Sequence, residues 1–248
     1  MARAWQPTLY RRGRMDAADD VRPPTPPSPG RFVVFEGGEA AGKSTQAARL
    51  ATRLGAVLTR EPGGTAVGGA IRALLLDPAT AGLDDRAEAL LMAADRAQHV
   101  AQVVRPALAA GRHVVSDRYV GSSLAYQGFG RGLDVEEVRR LSAWATGGLW
   151  PDAVVLLDIG TGEASGRRHE RPDRLEAAGD DFHRRVNDGY RALAAAEPDR
   201  WLVVDATPDP EAVEAAVWKA LVDRVPDLAP AAPGTPVDGV DRAPEVRP

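Results

Sequence analysis

The chain has no cysteine among its 248 residues, which excludes a disulfide framework and any thiolate metal site. Its four histidines are scattered and lack the close pairing of zinc motifs, so a bound metal would be held by oxygen. No apolar run approaches the roughly 18 residues of a membrane span, and residues 1–30 contain no hydrophobic signal segment. These absences predict a cytoplasmic protein with no membrane partner.

An excess of positive charge is also missing. Lysine and arginine number 31 against 35 acidic residues, giving a net charge of −4. This balance argues against a protein that coats nucleic acid through a strongly basic face, so we expect no nucleic-acid partner. Apolar residues make up 44% of the chain, which is enough to bury a core in one large domain or two small ones.

Proline is concentrated at the two ends of the chain. Six of the 20 prolines lie in residues 1–30 and six in residues 226–248. Proline lacks the backbone donor that helices and sheets require, and these segments have little to bury. We predict disordered tails at 1–30 and 225–248 around a folded domain at 31–224, with recruitment of a partner as the alternative role for the tails.

Five short apolar runs in the middle of the chain predict β-strands. Most lack alternation, which is typical of strands covered on both faces, and longer segments with helical spacing separate them. The pattern predicts an α/β fold, a five-stranded parallel sheet with helices on both faces. Asp134 with Glu137, and Asp209 before Pro210, are typical of helix starts. The predicted strands are 31–36, 56–60, 113–117, 153–158 and 201–205, and two of the predicted helices are 46–54 and 86–97.

The segment after the first strand matches the phosphate-binding pattern G-x-x-x-x-G-K-[ST] and precedes a predicted helix. Small residues let backbone N–H groups turn toward phosphate oxygens at a helix N-terminus that favours anions. Lys43 would reach the terminal phosphates, and the Ser44 hydroxyl would bind the Mg²⁺ that accompanies ATP. The predicted nucleotide-binding residues are Gly37, Gly38, Glu39, Ala40, Ala41, Gly42, Lys43, Ser44 and Thr45.

Two further features stand at predicted strand ends. Asp117 closes the third strand, where a carboxylate could hold Mg²⁺ or steer the attacking oxygen, or simply cap the next turn. Arg60, Arg96 and Arg118 lie at strand ends or near them. Because the arginine fork suits phosphate and carboxylate, these positions favour a second anionic ligand over ordinary surface ion pairs.

Several segments in this order resemble the thymidylate kinase family. They are EGGEAAGKST, TREPGGT, the DRY of residues 117–119, SSLAYQG, the DRLE of residues 173–176, and the stretch 182–190. The similarity runs from about residue 31 to 221. It implies a P-loop nucleoside monophosphate kinase fold, commonly a homodimer, that moves the γ-phosphoryl group of ATP to dTMP with Mg²⁺, giving dTDP and ADP.

The resemblance also implies roles for individual residues. Arg60 and Arg118 would grip the dTMP phosphate, and Arg96 would hydrogen-bond the thymine ring. Glu39 would lie near the sugar 3′-hydroxyl and the transferring phosphate, and Asp117 would be the Mg²⁺-linked carboxylate. Where the family usually has a phenylalanine that stacks on thymine, this chain has Met92. The other residues implied to line this pocket are Ser122, Ser123, Tyr126 and Gln127.

A mobile lid at about residues 160–178 is the last implied feature. One type of the family has an arginine inside the phosphate-binding loop, residues 37–44, which we call the cradle loop, whereas the other, common in bacteria, supplies arginines from the lid. Ala40 occupies the loop position here, and the lid region is rich in arginine, so this chain resembles the lid type. Of the lid arginines only Arg167 and Arg174 are assigned a role, and a solvated basic helix is the alternative for Arg168 and Arg171. The predicted catalytic residues are Lys43, Glu39, Asp117, Arg118, Arg167 and Arg174.

Two alternatives remain open on the sequence. A kinase for another nucleoside monophosphate, or for a small anionic metabolite, would keep the cradle and change the acceptor pocket. A nucleotide-dependent switch without a second substrate would leave the arginines at the sheet edge unexplained.

Overall fold

A computed structural model describes residues 29–159, 173–225 and 227–228. Most of both predicted tails, and the lid residues 160–172 with Arg167, lie outside the described residues. The five predicted strands are all present, as β1 Phe32–Glu36, β2 Val57–Arg60, β3 Val114–Asp117, β4 Ala153–Asp158 and β5 Trp201–Asp205. The predicted strands are therefore confirmed, with starts one residue later in β1, β2 and β3.

Eight α-helices lie between and after the strands in the described ranges. The first begins at Lys43, three residues before the predicted start, because the cradle loop runs directly into it. The third covers the predicted segment 86–97 and continues into a π-helical turn at Val100–Val104. A second π-helical turn is Leu124–Gly130. The helices are α1 Lys43–Leu54, α2 Ala66–Leu76, α3 Asp85–His99, α4 Arg105–Ala109, α5 Val120–Ser123, α6 Val135–Thr146, α7 Asp180–Ala196 and α8 Pro210–Arg224.

Side chains cap several of these helices. The Asp134 carboxylate accepts a hydrogen bond from the backbone N–H of Glu137 at 2.9 Å, and Asp209 accepts one from Ala212 at 2.9 Å. Each satisfies an N–H that has no partner within the helix, so both predicted helix starts are confirmed.

The strands form one parallel sheet in the order β2-β3-β1-β4-β5. Alternate side chains of β1 point to opposite faces, as the period of two in a strand requires. Phe32 and Val34 pack with residues of α4, α6 and α7, whereas Val33 and Phe35 pack with α1 and α8. Apolar cores on both faces explain why the strands read as continuous apolar runs.

The strand order places β2, β3 and β1 side by side, so the chain segments that follow them meet at one edge of the sheet. Arg60 is level with Asp117 across β2 and β3, and Phe35 is level with Asp117 across β1 and β3. Among the described residues, no helix is both long and apolar enough to cross a membrane.

Candidate active site

A cavity of about 860 Å³ lies at the carboxyl edge of the sheet. This volume is within the range of small-molecule sites. One side is formed by the loop after β1 and the start of α1, and the other by the ends of β2 and β3 with parts of α2 and α3. The lining residues discussed below are Glu39, Lys43, Ser44, Arg60, Arg72, Met92, Asp117, Arg118, Ser122, Tyr126 and Gln127.

The cradle loop turns tightly between β1 and α1. Gly42 precedes α1 with φ +82°, a conformation that glycine adopts without steric cost. Gly37 has φ +144°, and a side chain there would come within 2.5 Å of the Leu157 carbonyl oxygen. Lys43 Nζ donates to the carbonyl oxygen of Gly38 at 2.6 Å, which holds the ammonium group inside the loop.

Lys43 is 6% exposed, and burial has an electrostatic consequence. Desolvation and the nearby charge of Arg118 lower its pKa to about 8, although Glu39 and Asp117 oppose the change. The site thus holds a buried cation whose charge an anionic ligand would stabilise.

Ser44 and Asp117 meet as the sequence predicts. Ser44 Oγ donates to Asp117 Oδ2 at 2.5 Å. Asp117 Oδ1 is buried and accepts no hydrogen bond from the described residues. Two oxygen ligands with an unused carboxylate oxygen suit a hard divalent ion. Within the described ranges, no group of three or more acidic or histidine side chains forms a metal cluster, so such an ion would need further ligands from the nucleotide and water.

Arg118 is the centre of a hydrogen-bond cluster between the two sides of the cavity. Its Nη2 donates to Glu39 Oε1 at 2.7 Å and to the Tyr126 hydroxyl at 3.2 Å. Its Nη1 donates to the hydroxyls of Ser122 and Tyr190 at 3.2 and 3.1 Å. Arg118 also has φ +75°, a conformation rarely adopted by residues other than glycine and often found at functional sites.

Glu39 extends from the cradle loop toward this arginine. Its Oε1 also accepts a hydrogen bond from the Tyr126 hydroxyl at 2.5 Å. Burial by itself would raise the pKa of Glu39, but Arg118 and Lys43 outweigh it and lower the pKa to about 2. Glu39 is therefore a carboxylate throughout the physiological pH range.

Glu36, the last residue of β1, holds the backbone of the segment after β3 in place. It is fully buried and accepts hydrogen bonds from the backbone N–H groups of Tyr119 and Ser122, each at 3.0 Å. It also accepts from the Ser122 hydroxyl at 2.6 Å and the Tyr190 hydroxyl at 3.1 Å. Burial raises the pKa of Glu36, and the hydrogen bonds from Ser122 and Tyr119 together with the charge of Arg118 oppose that rise. The position of Ser122 is thus set by a buried carboxyl group.

Three arginines line the same cavity as the cradle loop. Arg60 and Arg118 are two that the sequence predicts, and Arg72 of α2 is a third that sequence reasoning missed. Arg72 Nη1 donates to the Pro62 carbonyl oxygen at 3.0 Å. Burial and the charges of Arg60 and Arg118 lower the pKa of Arg72. The crowding of like charges makes this side of the cavity favourable for an anion.

Most residues predicted for the acceptor pocket line the cavity, but two do not. Met92, Ser122, Tyr126 and Gln127 are on its wall. Arg96 and Ser123 are buried behind it, where Arg96 Nη2 donates to Ser123 Oγ at 3.0 Å. Arg96 is fully buried and is not among the residues that line the cavity, so its direct hydrogen bond to the thymine ring stays a prediction.

A buried ion-pair network explains the position of Arg96. Its Nε donates to Glu61 Oε2 at 2.8 Å, and the second oxygen of Glu61 lies 2.7 Å from His99 Nδ1. Thr59 Oγ1 contacts the other ring nitrogen of His99 at 2.7 Å. The network joins the TREPGGT segment to α3 across the buried side of the cavity wall.

We predict that Glu61→Gln lowers the free energy of unfolding by about 3–5 kcal/mol, because it leaves the buried Arg96 cation without its counter-charge. Both side chains are 1% exposed, so water cannot replace the lost partner. Glu136→Gln is the matched control, since Glu136 pairs with Arg139 but is 65% exposed, and it should cost about 1 kcal/mol or less. Equal losses in the two variants, measured by urea unfolding, would show that the network does not stabilise the fold.

Arg174, predicted as a lid arginine, is described and is not among the residues that line the cavity. It is 8% exposed, and its Nε donates to the Leu75 carbonyl oxygen at 2.8 Å. Its Nη2 lies 2.7 Å from Glu88 Oε2 in a buried ion pair. The guanidinium is held against the C-terminal end of α2 and the start of α3.

Arg72, Glu61 and Glu88 are the site residues that sequence reasoning missed. Arg72 lies in helix α2, whose other residues are apolar or glycine, and a single arginine in such a helix does not indicate that it lines a cavity. Glu61 is part of the quoted TREPGGT segment, but its partners are 35 and 38 residues away. Only the fold brings Arg72 and Glu61 to the cavity and places Glu88 against Gln127.

Comparison with known proteins places this geometry in a family. Residues 35–217 match the family model described as thymidylate kinase. The thymidylate kinase of Solidesulfovibrio magneticus is 54% identical over 201 residues, which cover 75% of this chain and 96% of that protein. That of Bifidobacterium longum strain NCC 2705 is 51% identical over 208 residues, covering 81% of this chain and 99% of the relative.

A solved structure agrees with these relatives. The crystal structure of thymidylate kinase from Ehrlichia chaffeensis has a TM-score of 0.65 and 30% identity, and the match covers 78% of this chain and 100% of that chain. The resemblance seen in the sequence is thereby confirmed, as is the α/β fold with its five-stranded parallel sheet. The chain therefore belongs to the thymidylate kinase family, whose activity is the phosphorylation of dTMP to dTDP.

Proposed function

We propose that ATP and dTMP bind head to head in the 860 Å³ cavity, and that the γ-phosphoryl group passes directly between them. The observation that carries this proposal is the placement of two sets of cations on one cavity. Lys43 lies in the cradle loop, Arg60 and Arg72 come from β2 and α2, and Arg118 bonds the cradle through Glu39 while lining the same cavity. A nucleotide switch needs the first set alone, whereas a kinase with a phosphorylated acceptor needs both.

The donor side is assigned to residues 37–45. Backbone N–H groups of the loop and of the first turn of α1 would bind the ATP phosphates, with Lys43 Nζ exchanging the Gly38 carbonyl for phosphate oxygens. Ser44 Oγ and Asp117 would hold Mg²⁺, since Asp117 has an oxygen free of hydrogen bonds from the described residues. Bound Mg²⁺ would neutralise charge on the phosphates.

The acceptor side is assigned to the arginine group. Arg118 and Arg60 would grip the dTMP phosphate, and we add Arg72 to them because it lines the same wall. Tyr126 and Ser122 would contact the deoxyribose, and Glu39, fixed by Arg118 and Tyr126, would lie between the sugar and the reacting phosphates. Met92 and Gln127 would face the base, with Arg96 and Ser123 supporting the wall from behind.

The chemical step is an in-line displacement. An oxygen of the dTMP phosphate forms a bond to the γ-phosphorus of ATP, and the bond from that phosphorus to the β,γ-bridging oxygen breaks to release ADP. The transition state spreads negative charge over the transferring group, so the residues act by positioning and by charge stabilisation. Lys43 and Arg118, whose charges are close enough to influence one another, would both stabilise this charge.

Three further features remain proposals from the family resemblance. The lid at about 160–178 would bring Arg167 to the transferring phosphate, and Ala40 in the cradle loop supports the lid type. Arg174 would instead anchor the end of the lid segment through its ion pair with Glu88.

The chain would act in the cytoplasm. It would form a homodimer through α2, α3 and α6, which expose Leu74, Leu90 and Trp144. Sedimentation equilibrium should then give twice the 26.3 kDa chain mass.

An acceptor panel tests the proposed function. The purified chain would be supplied with MgATP and, in separate reactions, with dTMP, dUMP, dCMP, dGMP and AMP, and ADP release would be followed. We expect kcat/KM to be highest for dTMP despite Met92 in place of an aromatic residue. A preference for a purine monophosphate, or ADP release independent of any acceptor, would overturn the assignment.

We predict that ATP binds more weakly as the pH rises above about 8. Below that pH Lys43 is already charged in the free protein. Bound phosphates favour the charged form and raise its pKa, so above pH 8 binding requires proton uptake and the affinity falls by up to about tenfold per pH unit. Titration calorimetry from about pH 7 to pH 9.5 measures this change. Lys43→Met should bind weakly at all these pH values, and an affinity in the wild type that is constant to pH 9.5 would contradict the prediction.

A further inference from the structure

The side-chain amide of Gln127 is held in one direction at the cavity wall. Gln127 is fully buried in the π-helical turn Leu124–Gly130, and its Nε2 donates to Glu88 Oε1 at 2.8 Å. Its Oε1 is also buried, and no donor among the described residues reaches it. Since Gln127 lines the cavity, the wall contains a hydrogen-bond acceptor that a ligand can satisfy.

Glu88 determines this direction. It is fully buried on α3, and Arg131 Nη2 and Arg174 Nη2 lie 3.0 and 2.7 Å from its Oε2. Burial alone would raise the pKa of Glu88, but the hydrogen bonds from Arg131, Gln127 and Arg174 outweigh it and lower the pKa. An ionised carboxylate only accepts hydrogen bonds. Turning the Gln127 amide over would place two acceptors against each other, so the carbonyl oxygen must remain on the side away from Glu88.

The fixed direction of the Gln127 amide affects which base of a nucleoside monophosphate can bind beside it. Thymine carries an N–H at position 3 between two carbonyl groups, whereas cytosine has an unprotonated ring nitrogen there, which is itself an acceptor. A hydrogen-bond acceptor fixed at the cavity wall pairs with the N–H of thymine and repels the ring nitrogen of cytosine. A free glutamine amide could turn to suit either base.

We propose that Glu88 is a positioning residue for base selection: it orients Gln127 so that the cavity presents an acceptor and admits a base with a ring N–H. The inference rests on the proposed function, because it requires dTMP in this cavity. Glu88 acts through Gln127 and touches no substrate. The same carboxylate binds Arg174, so it also connects the base side of the cavity to the chain that follows residue 172.

The test compares kcat/KM for dTMP and dCMP in Glu88→Gln and in the wild type. The new amide can donate as well as accept, so Gln127 is free to turn, and we expect the ratio of dTMP to dCMP to fall by about tenfold or more. A merely structural role would lower both values together and leave the ratio unchanged. An unchanged ratio, or dCMP turnover that stays undetectable in both proteins, would overturn the proposal.

Arg131→Gln is the matched control. It removes one cation from the same carboxylate but leaves Glu88 in place as the acceptor of the Gln127 amide. We expect a loss of thermal stability without a change in the ratio, and a change in the ratio as large as that of Glu88→Gln would contradict the proposal.

A double variant guards against misfolding of Glu88→Gln. E88Q/Q127E exchanges donor and acceptor while keeping one negative charge in the cluster. It should again present an acceptor to the cavity and retain the preference for dTMP, and loss of that preference in a folded double variant would count against the proposal. If wild-type protein does not phosphorylate dTMP, the proposed function itself fails; if it does and the ratio is insensitive to Glu88, only this inference fails.

Discussion

Replacing Lys43 by methionine is expected to lower kcat by about 10²–10³-fold, the loss typical of removing one preorganised donor from a site of charge development. Lys43 Nζ is held within the cradle by the Gly38 carbonyl at 2.6 Å, and it is the cation nearest the bound phosphates in the proposed arrangement. Methionine has a similar length and no charge. Because burial disfavours the ammonium group, the fold should be as stable with methionine as with lysine.

The chain offers a matched control for this variant. It contains two lysines, and the second, Lys219, lies on the exposed side of α8. Lys219→Met should leave kcat unchanged. Steady-state assays at saturating ATP and dTMP compare the two, with circular dichroism to verify folding. A Lys43→Met enzyme within about threefold of the wild type would show that the cradle lysine does not stabilise the transferring phosphate.

Arg118→Lys is expected to reduce kcat/KM for dTMP by about 10²-fold or more. The Arg118 guanidinium donates hydrogen bonds to four side chains, those of Glu39, Tyr126, Ser122 and Tyr190. A lysine ammonium is a point charge that cannot reach all four. Loss of two charge-assisted hydrogen bonds at about 1.5–3 kcal/mol each accounts for the size of the effect. Lysine tolerates φ +75° no better and no worse than arginine, so the substitution isolates the side chain.

Arg184→Lys is the control for the second variant. Arg184 is 61% exposed on α7 and pairs with Asp181 three residues away. Its replacement should change kcat/KM by less than about twofold, because exposed ion pairs of this kind contribute little. If Arg118→Lys is equally mild, the positive charge alone would be sufficient and the fork geometry would have no role in binding dTMP.

The cradle and the sheet could be predicted from the sequence because their signals are local. The pattern from Gly37 to Ser44 is continuous in the chain, and each buried strand is a short apolar run ended by a turn. The contact between Ser44 and Asp117 follows once the sheet is known to be parallel, since both then stand at its carboxyl edge.

The placement of the arginines could not be predicted in the same way. Arg96 and Arg72 look alike in the sequence, yet Arg96 is held behind the wall by Glu61 and Ser123, while Arg72 reaches the cavity. Arg174 is bound to Leu75, which lies 99 residues earlier. Partners far away in the sequence decide whether an arginine faces a ligand or pairs with a buried carboxylate. Hydrophobic periodicity and motif spacing do not reveal such partners.

The same limit applies to Gln127. Its position in the SSLAYQG segment indicates the acceptor pocket, but the direction of its amide depends on Glu88, which lies 39 residues earlier on α3. A residue type can thus be assigned to a pocket from the sequence, whereas the hydrogen-bonding group that it presents requires the fold.

Transfer of a labelled phosphoryl group from ATP to dTMP is the most direct test of direct transfer between two ligands in one cavity. The chain would be incubated with ATP labelled in the γ-phosphoryl group, Mg²⁺ and dTMP, and the products separated by ion-exchange chromatography. Direct transfer between two ligands in one cavity predicts that the label appears in the β-phosphate of dTDP, one equivalent for each ADP formed. Label released as inorganic phosphate, with dTMP unchanged, would contradict it.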